Sequence, residues 1–202
     1  MNESTPSQVP WKERRKQQLR DEFVDTARKL FTERGIEATS VDDIVGAAGV
    51  AKGTFYLYFK SKAELVTQVV SALLDDLESR ISRALSGAPQ DAPTKLRLVI
   101  KTQVEFVLEN RKLAALLWSD RPADVTDDMR DKAAGVTSAL YERIIRTGML
   151  QANYREVDAR LAAAVLSGIL AVLVREVLDA DGSADGLELT ALDFFERGVR
   201  RA

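Results

Sequence analysis

The 202-residue chain contains no cysteine and no histidine. Without cysteine there can be no disulfide, no thiolate nucleophile and no Cys-based zinc site. Without histidine the usual general base, the Ser-His-Asp triad and the commonest metal ligand are all removed. An enzyme built from this sequence would have to work with carboxylates, lysine or tyrosine alone, and its scattered Asp and Glu read better as helix surface. The expectation is a protein that is not an enzyme and carries neither metal nor cofactor. Only five prolines and eleven glycines leave room for long helices. Also lacking are a signal peptide and any run of about 20 uncharged apolar residues. The expected location is therefore cytoplasmic, with no membrane partner.

What is present is ordinary for a globular chain of one or two small domains: 46% apolar and 30% charged residues. The formal charge of −2 does not announce a partner, but its distribution is uneven. Residues 1–62 hold eleven Lys and Arg against nine Asp and Glu, a net +2, which leaves −4 for the remainder. The positive end is the end suited to a polyanion.

The informative stretch runs from Thr39 to Leu65, TSVDDIVGAAGVAKGTFYLYFKSKAEL. Ser40 followed three residues later by Asp43 reads as a helix start, because the hydroxyl accepts from a free backbone N–H and the carboxylate meets the positive end of the helix dipole. Val41, Ile44, Val45 and Ala48 supply a short apolar face. Gly49 then turns the chain, since glycine enters left-handed backbone conformations without steric cost. From Ala51 a second short helix carries Phe55 and Phe59 as core and leaves Lys52, Thr54, Tyr56 and Tyr58 to point elsewhere. Ser61 to Glu64 is another capping box. Two short helices joined by a glycine turn form the helix-turn-helix pattern, whose second helix lies in a DNA major groove.

This stretch closely resembles the DNA-binding domain of the TetR family of bacterial transcriptional regulators. The matching residues are Phe31, Gly35, Thr39, Val41, Ile44, Ala48-Gly49-Val50, Lys52-Gly53-Thr54-Phe55-Tyr56, Tyr58-Phe59 and Lys62 to Leu65. They cover about a quarter of the chain. Val45 departs from a common Ala, and Ala51 from a frequent capping Ser or Thr. The resemblance implies DNA contacts position by position: Thr39 and Ser40 to phosphate, Lys52, Gly53 and Thr54 toward base edges and backbone, Tyr56 and Tyr58 to phosphate or thymine methyls, and Lys62 to phosphate. The chemistry agrees, because lysine donates to guanine O6 and N7 and the threonine methyl meets the thymine methyl.

Around this stretch the chain reads as helices. Residues 1–10 are polar with two prolines and are expected to be a disordered arm. The basic segment Trp11 to Arg20 is either a solvated helix start or a phosphate-touching arm, and from Leu19 an amphipathic helix runs to a C-cap at Gly35. The apolar series from Leu65 to Leu85 makes one long helix that ends at Ser86-Gly87-Ala88-Pro89. Helices are expected from Pro93 to Asn110, from Lys112 to Ser119 and from Thr126 to Ala152, where Gly148 permits a close contact or a bend. The segment Val157 to Leu178 is apolar on nearly all sides and must be buried on all sides. A turn at Asp181-Gly182-Ser183 leads to the last helix.

The expected fold is all-α: an N-terminal three-helix helix-turn-helix DNA-binding domain (11–60), a connecting helix (61–86) and a larger C-terminal helical ligand-binding and dimerisation domain (93–202). The resemblance implies that the last two helices build a homodimer, for which Leu166, Ile169, Leu173, Leu192, Phe195 and Val199 are the candidates. It also implies a small-molecule effector of unknown identity, with Gln103, Phe106, Trp118, Thr137, Tyr141, Ser167 and Leu170 as candidate lining residues, a mostly apolar set with sparse polar groups. The functional expectation is a ligand-responsive dimeric repressor that binds a palindromic double-stranded DNA operator and releases it when the small molecule binds. The alternative is an all-helical small-molecule carrier or adaptor whose helix-turn-helix is only structural.

Overall fold

The computed structural model describes residues 11–118, 126–179 and 186–200. Among these the chain forms nine α-helices and no strand, with one isolated antiparallel bridge between Tyr154 and Arg200. It divides into two compact units, residues 1–69 and 70–202, and the division falls within the fourth helix. The expected arm at 1–10 and the expected turn at 181–183 lie outside the described residues. No helix among the described residues is long and apolar enough to cross a membrane.

The first unit begins with α1 (Trp11–Arg34), which stops at Gly35, where φ is 88° and the N–H donates to the Phe31 carbonyl at 2.9 Å. The apolar spacing on α1 buries Phe23, Ala27, Leu30 and Phe31. The unit also buries Ile44 and Val45 of α2 (Val41–Ala48), Phe55 of α3 (Lys52–Tyr56), Phe59 just after it, and Leu65, Val66 and Val69 from the start of α4 (Lys62–Leu85). Phe23 meets Phe55 edge-on at 5.7 Å and Phe59 edge-on at 5.9 Å. Each fully buried ring contributes about 1.5–3 kcal/mol by burial alone, and edge-to-face geometry adds to that.

The caps follow the sequence with one variation. Ser40 and Asp43 form the full capping box, and Gly49 closes α2 at φ 68°. At α4 the Glu64 N–H donates to Ser61 Oγ at 3.2 Å, but the Glu64 carboxylate accepts from the Lys60 N–H, one residue further back than a box requires. Ala51 precedes α3 and provides no side-chain cap, so that helix depends on the packing of Phe55 for its place.

In the second unit the rest of α4 buries Val70, Leu73, Leu74, Leu77 and Ile81. The chain turns at Gly87, with φ 78°, and Asp91 caps α5 (Ala92–Glu109) by accepting from the Thr94 N–H at 2.9 Å. After α6 (Arg111–Trp118) comes α7 (Asp127–Leu150), which packs along α8 (Ala159–Asp179). The last helix, α9 (Leu187–Val199), lies against α5 and α8. Gly148 is a close-contact residue: a Cβ built there would overlap Cδ2 and Cε2 of the buried Tyr154 ring, so the turn between α7 and α8 is folded over that glycine.

Candidate nucleic-acid interface

Within the first unit, the side chains expected at DNA divide into those the fold uses and those it leaves outside. Thr39 is completely buried, and its hydroxyl donates to the Gly35 carbonyl at 2.7 Å. It shapes the entry to α2 instead of meeting phosphate. Lys62 is likewise directed inward, its ammonium donating to the Ile36 carbonyl at 2.8 Å and the Thr39 carbonyl at 3.1 Å. One reason covers both placements: the turn after α1 exposes carbonyls that need donors, and these two side chains supply them, Thr39 from full burial and Lys62 while half-buried.

The remaining residues face outward to different degrees. Ser40 is exposed, with its hydroxyl and N–H both engaged by Asp43. Those bonds hold the Asp43 carboxyl below the usual carboxylate range, with Arg34 adding a smaller pull. Lys52 and Gly53 are exposed, Thr54 is half-buried, and Tyr56 is 54% exposed although its ring touches the edge of Phe55. Tyr58 is half-buried, 5.9 Å from Phe23. A Cβ added at Gly53 would meet nothing within 4 Å. The protein itself therefore has no steric need for glycine there, and its absent side chain leaves room for something outside.

Two features were not anticipated from the sequence. Arg20, counted in the basic segment, turns inward: its guanidinium lies 4.8 Å over the Phe59 ring, donates to the Tyr58 carbonyl at 3.3 Å and pairs with Glu64 at 3.7 Å. Asp42 carries the other surprise, because it binds Lys52 through both carboxylate oxygens. No sequence signal marks an ion pair ten residues apart across a turn.

The candidate effector residues sit in the second unit. Tyr141 is fully buried and donates its hydroxyl to Gln103 Oε1. Burial pushes that hydroxyl's pKa up, and a hydrogen bond with the buried Thr137 opposes the shift. Phe106 and Leu170 are buried, with the Arg80 guanidinium 4.9 Å over the Phe106 ring. The Ser167 hydroxyl is buried without a hydrogen-bond partner. The side chain of Trp118 lies outside the described residues. The structure thus joins Gln103, Thr137 and Tyr141 into one uncharged hydrogen-bonded cluster.

The candidate dimer residues are placed differently from expectation. Leu166, Leu192, Phe195 and Val199 are buried inside the chain's own second unit, while Ile169 and Leu173 are half-buried. On α8 and α9 the apolar side chains Leu161, Val165, Val172, Leu189 and Phe194 remain in the open, with Phe194 70% exposed, and Leu150 at the end of α7 is exposed as well. The stripe Leu161, Val165, Gly168, Val172 runs at helical spacing. Apolar periodicity does not distinguish it from a second stripe on α8, Ala163, Leu166, Leu170 and Val174, which faces inward.

Comparison with known proteins agrees with this geometry. Residues 23–69 match the family described as bacterial regulatory proteins, tetR family. The chain is 30% identical to the HTH-type transcriptional regulator TtgR of Pseudomonas putida, covering 84% of each protein. It is 28% identical to the HTH-type transcriptional repressor KstR2 of Rhodococcus jostii over 77% of this chain and 78% of that one. Among solved structures, a transcriptional regulator from Saccharomonospora viridis in complex with choline superposes with a TM-score of 0.80 at 22% identity, covering 92% of this chain and all of the other, a likeness of fold.

Proposed function

Because this chain belongs to the TetR family and is a DNA-binding transcriptional regulator, not an enzyme, we propose that it is a ligand-responsive dimeric repressor whose first unit reads a palindromic operator. In this reading residues 11–60 are the DNA-reading part, 61–86 the connecting helix and 93–202 the effector and dimerisation part. Lys52, Gly53, Thr54 and Tyr56 meet the major groove, Ser40 and Tyr58 flank it, and Thr39 and Lys62 hold the turn from behind. The observation that carries the reading is the division of α3, whose Phe55 is buried in the aromatic core while Lys52, Gly53 and Tyr56 stand outside.

One recognition helix covers too little DNA to be selective, whereas two held about 34–36 Å apart read both halves of a palindrome. The apolar stripe Leu161, Val165, Val172 with Leu189 and Phe194 supports a second copy of the chain as the partner that covers it. An isologous α8–α9 interface would set the spacing.

The effector is read as an uncharged, mostly apolar small molecule with one or two hydrogen-bonding groups, because Gln103, Thr137, Tyr141 and Ser167 bring no net charge into the helical interior. A charged ligand would find no counter-ion among these four side chains, and an unpaired charge in the interior is costly. For release, the ligand must favour one conformation, and a coupling of about 1–3 kcal/mol changes operator affinity roughly 5- to 150-fold. Selection of a duplex from a random-sequence library, followed by anisotropy titration against salt, tests the DNA reading. Enrichment of a palindrome bound by a dimer supports it, and failure to enrich any sequence overturns it. A thermal-shift screen tests the effector reading: neutral apolar compounds should raise the melting temperature and weaken operator binding.

A further inference from the structure

Asp42, the second residue of α2, grips Lys52, the first residue of α3, with Nζ 2.8 Å from Oδ1 and 2.9 Å from Oδ2. Both side chains are more than half exposed, at 68% and 53%. An ion pair so open contributes little to folding. The other charges nearby have structural work: Asp43 caps α2, Arg20 covers Phe59, and Lys62 holds carbonyls. The Asp42–Lys52 pair adds little beyond the favourable place of Asp42 in the first turn of α2, and it lies beside Ser40 and Gly53, on the face assigned to DNA. A carboxylate there works against the phosphate polyanion, so its presence calls for a gain elsewhere.

That gain is available at the floor of the major groove. A G·C pair presents two neighbouring acceptors, guanine N7 and O6, followed by a donor, the cytosine N4 amino group. Guanine O6 and cytosine N4 are themselves hydrogen-bonded, so they stand about 2.9 Å apart. The ammonium and carboxylate of the pair are separated by nearly the same distance. With the pair intact, Lys52 can donate to O6 and N7 while Asp42 accepts from N4. An A·T pair puts the N6 donor where the ammonium needs its second acceptor.

We propose that Lys52 and Asp42 act as one unit that reads a G·C base pair in each half-site, with Asp42 as a specificity-determining residue that also penalises binding to phosphate alone. The proposal rests on the DNA-face reading above, and the test separates the two. The full wild-type chain selects a duplex from a random-sequence library. Anisotropy then measures that duplex, its single G·C to A·T replacements and an unrelated duplex, each across a salt series.

One G·C pair per half-site should be preferred about tenfold by the wild type. Asp42→Asn and Lys52→Ala should each lose most of that preference. Asp42→Asn should also bind the unrelated duplex three- to tenfold more tightly, with a salt slope steeper by roughly 1 as Lys52 becomes free to take a phosphate. Unchanged thermal midpoints would show that the variants remain folded. A selected site that needs no G·C pair, or an Asp42→Asn variant that keeps the full preference, overturns the proposal and leaves the DNA-face reading standing. Failure of the wild type to enrich any sequence overturns both.

Discussion

The DNA-reading unit and the α8–α9 face have opposite surfaces, and the contrast shows what each one needs. In the first unit the aromatics go inside, and the polar residues either brace the turns, as Thr39 and Lys62 do, or stand outside, as Lys52 and Tyr56 do. On α8 and α9 the interior is already filled by Leu166, Leu170, Val174, Leu192 and Phe195, yet further apolar side chains remain in the open. A polar surface of the first kind is content in water and binds a polyanion by exchanging counterions. The second kind gains only by removing apolar area from water, at about 25 cal/mol per Å². In the proposed reading, the first surface meets DNA and the second a matching apolar face.

The largest effect should come from charging the second surface. Val165→Glu combined with Phe194→Glu places carboxylates where the proposed interface would desolvate them, and each such burial costs several kcal/mol. The dimer dissociation constant should rise at least about 100-fold, since every 1.4 kcal/mol is tenfold. Operator affinity should fall with it, while the monomer stays folded because both side chains point away from its core. Analytical ultracentrifugation gives the answer. A variant that still dimerises would break the contrast by showing that this face is not the one covered.

A second effect is confined to the interior of the larger unit. Gly148→Ala drives a methyl group into the Tyr154 ring and toward Ala92, and the turn between α7 and α8 must shift to accept it. Overpacking of this kind costs about 1–3 kcal/mol. Tyr154→Phe should cost almost nothing, because the buried hydroxyl it removes has no hydrogen-bond partner. Chemical denaturation of the two variants should therefore give unequal shifts. Equal losses would mean that the hydroxyl, not the ring, holds the turn.

The two regions were also unequally legible in the sequence. The first unit is written in residue types with single uses: Ser40 with Asp43, Gly49 in the left-handed turn, and Phe55 with Phe59, both buried as expected although α3 ends at Tyr56 and Phe59 lies beyond it. What stayed hidden there were side chains whose partners are distant in sequence, such as Lys62 on the Ile36 carbonyl and Arg20 on Phe59. In the larger unit the helices themselves were legible from apolar periodicity, and Gly148 was marked as a possible close contact. The phase of α8 was not. Leu161 and Leu166 are equally apolar, and only the neighbouring helices decide that Leu166 turns inward and Leu161 outward. The effector residues share that limit, because Gln103 and Tyr141 are 38 positions apart and meet through a fold that composition does not encode.

At Gly53, by contrast, stability and function should move in opposite directions. Glycine near the start of α3 costs backbone entropy, and a Cβ there meets open space. Gly53→Ala should stabilise the folded chain by about 0.5–1 kcal/mol. The same methyl should block close approach of the backbone to DNA and weaken operator binding severalfold. Thermal melting and anisotropy on one preparation test both halves. A variant that is both more stable and equally tight on DNA would remove Gly53 from the interface.

The smallest effect concerns acid, and here the two regions should behave alike. Hydrogen bonds from Ser40 hold the Asp43 carboxyl below its ordinary value of 3.8. In the second unit, the Thr94 N–H lowers Asp91 and the Leu161 N–H lowers Asp158. A carboxylate whose folded pKa is depressed adds stability that is fully present above the unfolded value and is lost as pH falls through the lower folded one. Both units should therefore hold steady from neutral pH down to about 4 and soften together below it. Asp43→Asn should remove the share of this loss that belongs to residues 11–69 and leave the rest, which hydrogen exchange at pH 3 and pH 6 can resolve by region. If the variant softens in acid as much as the wild type throughout that unit, the cap at α2 is not the acid-sensitive element, and the exposed ion pairs around it become the place to look.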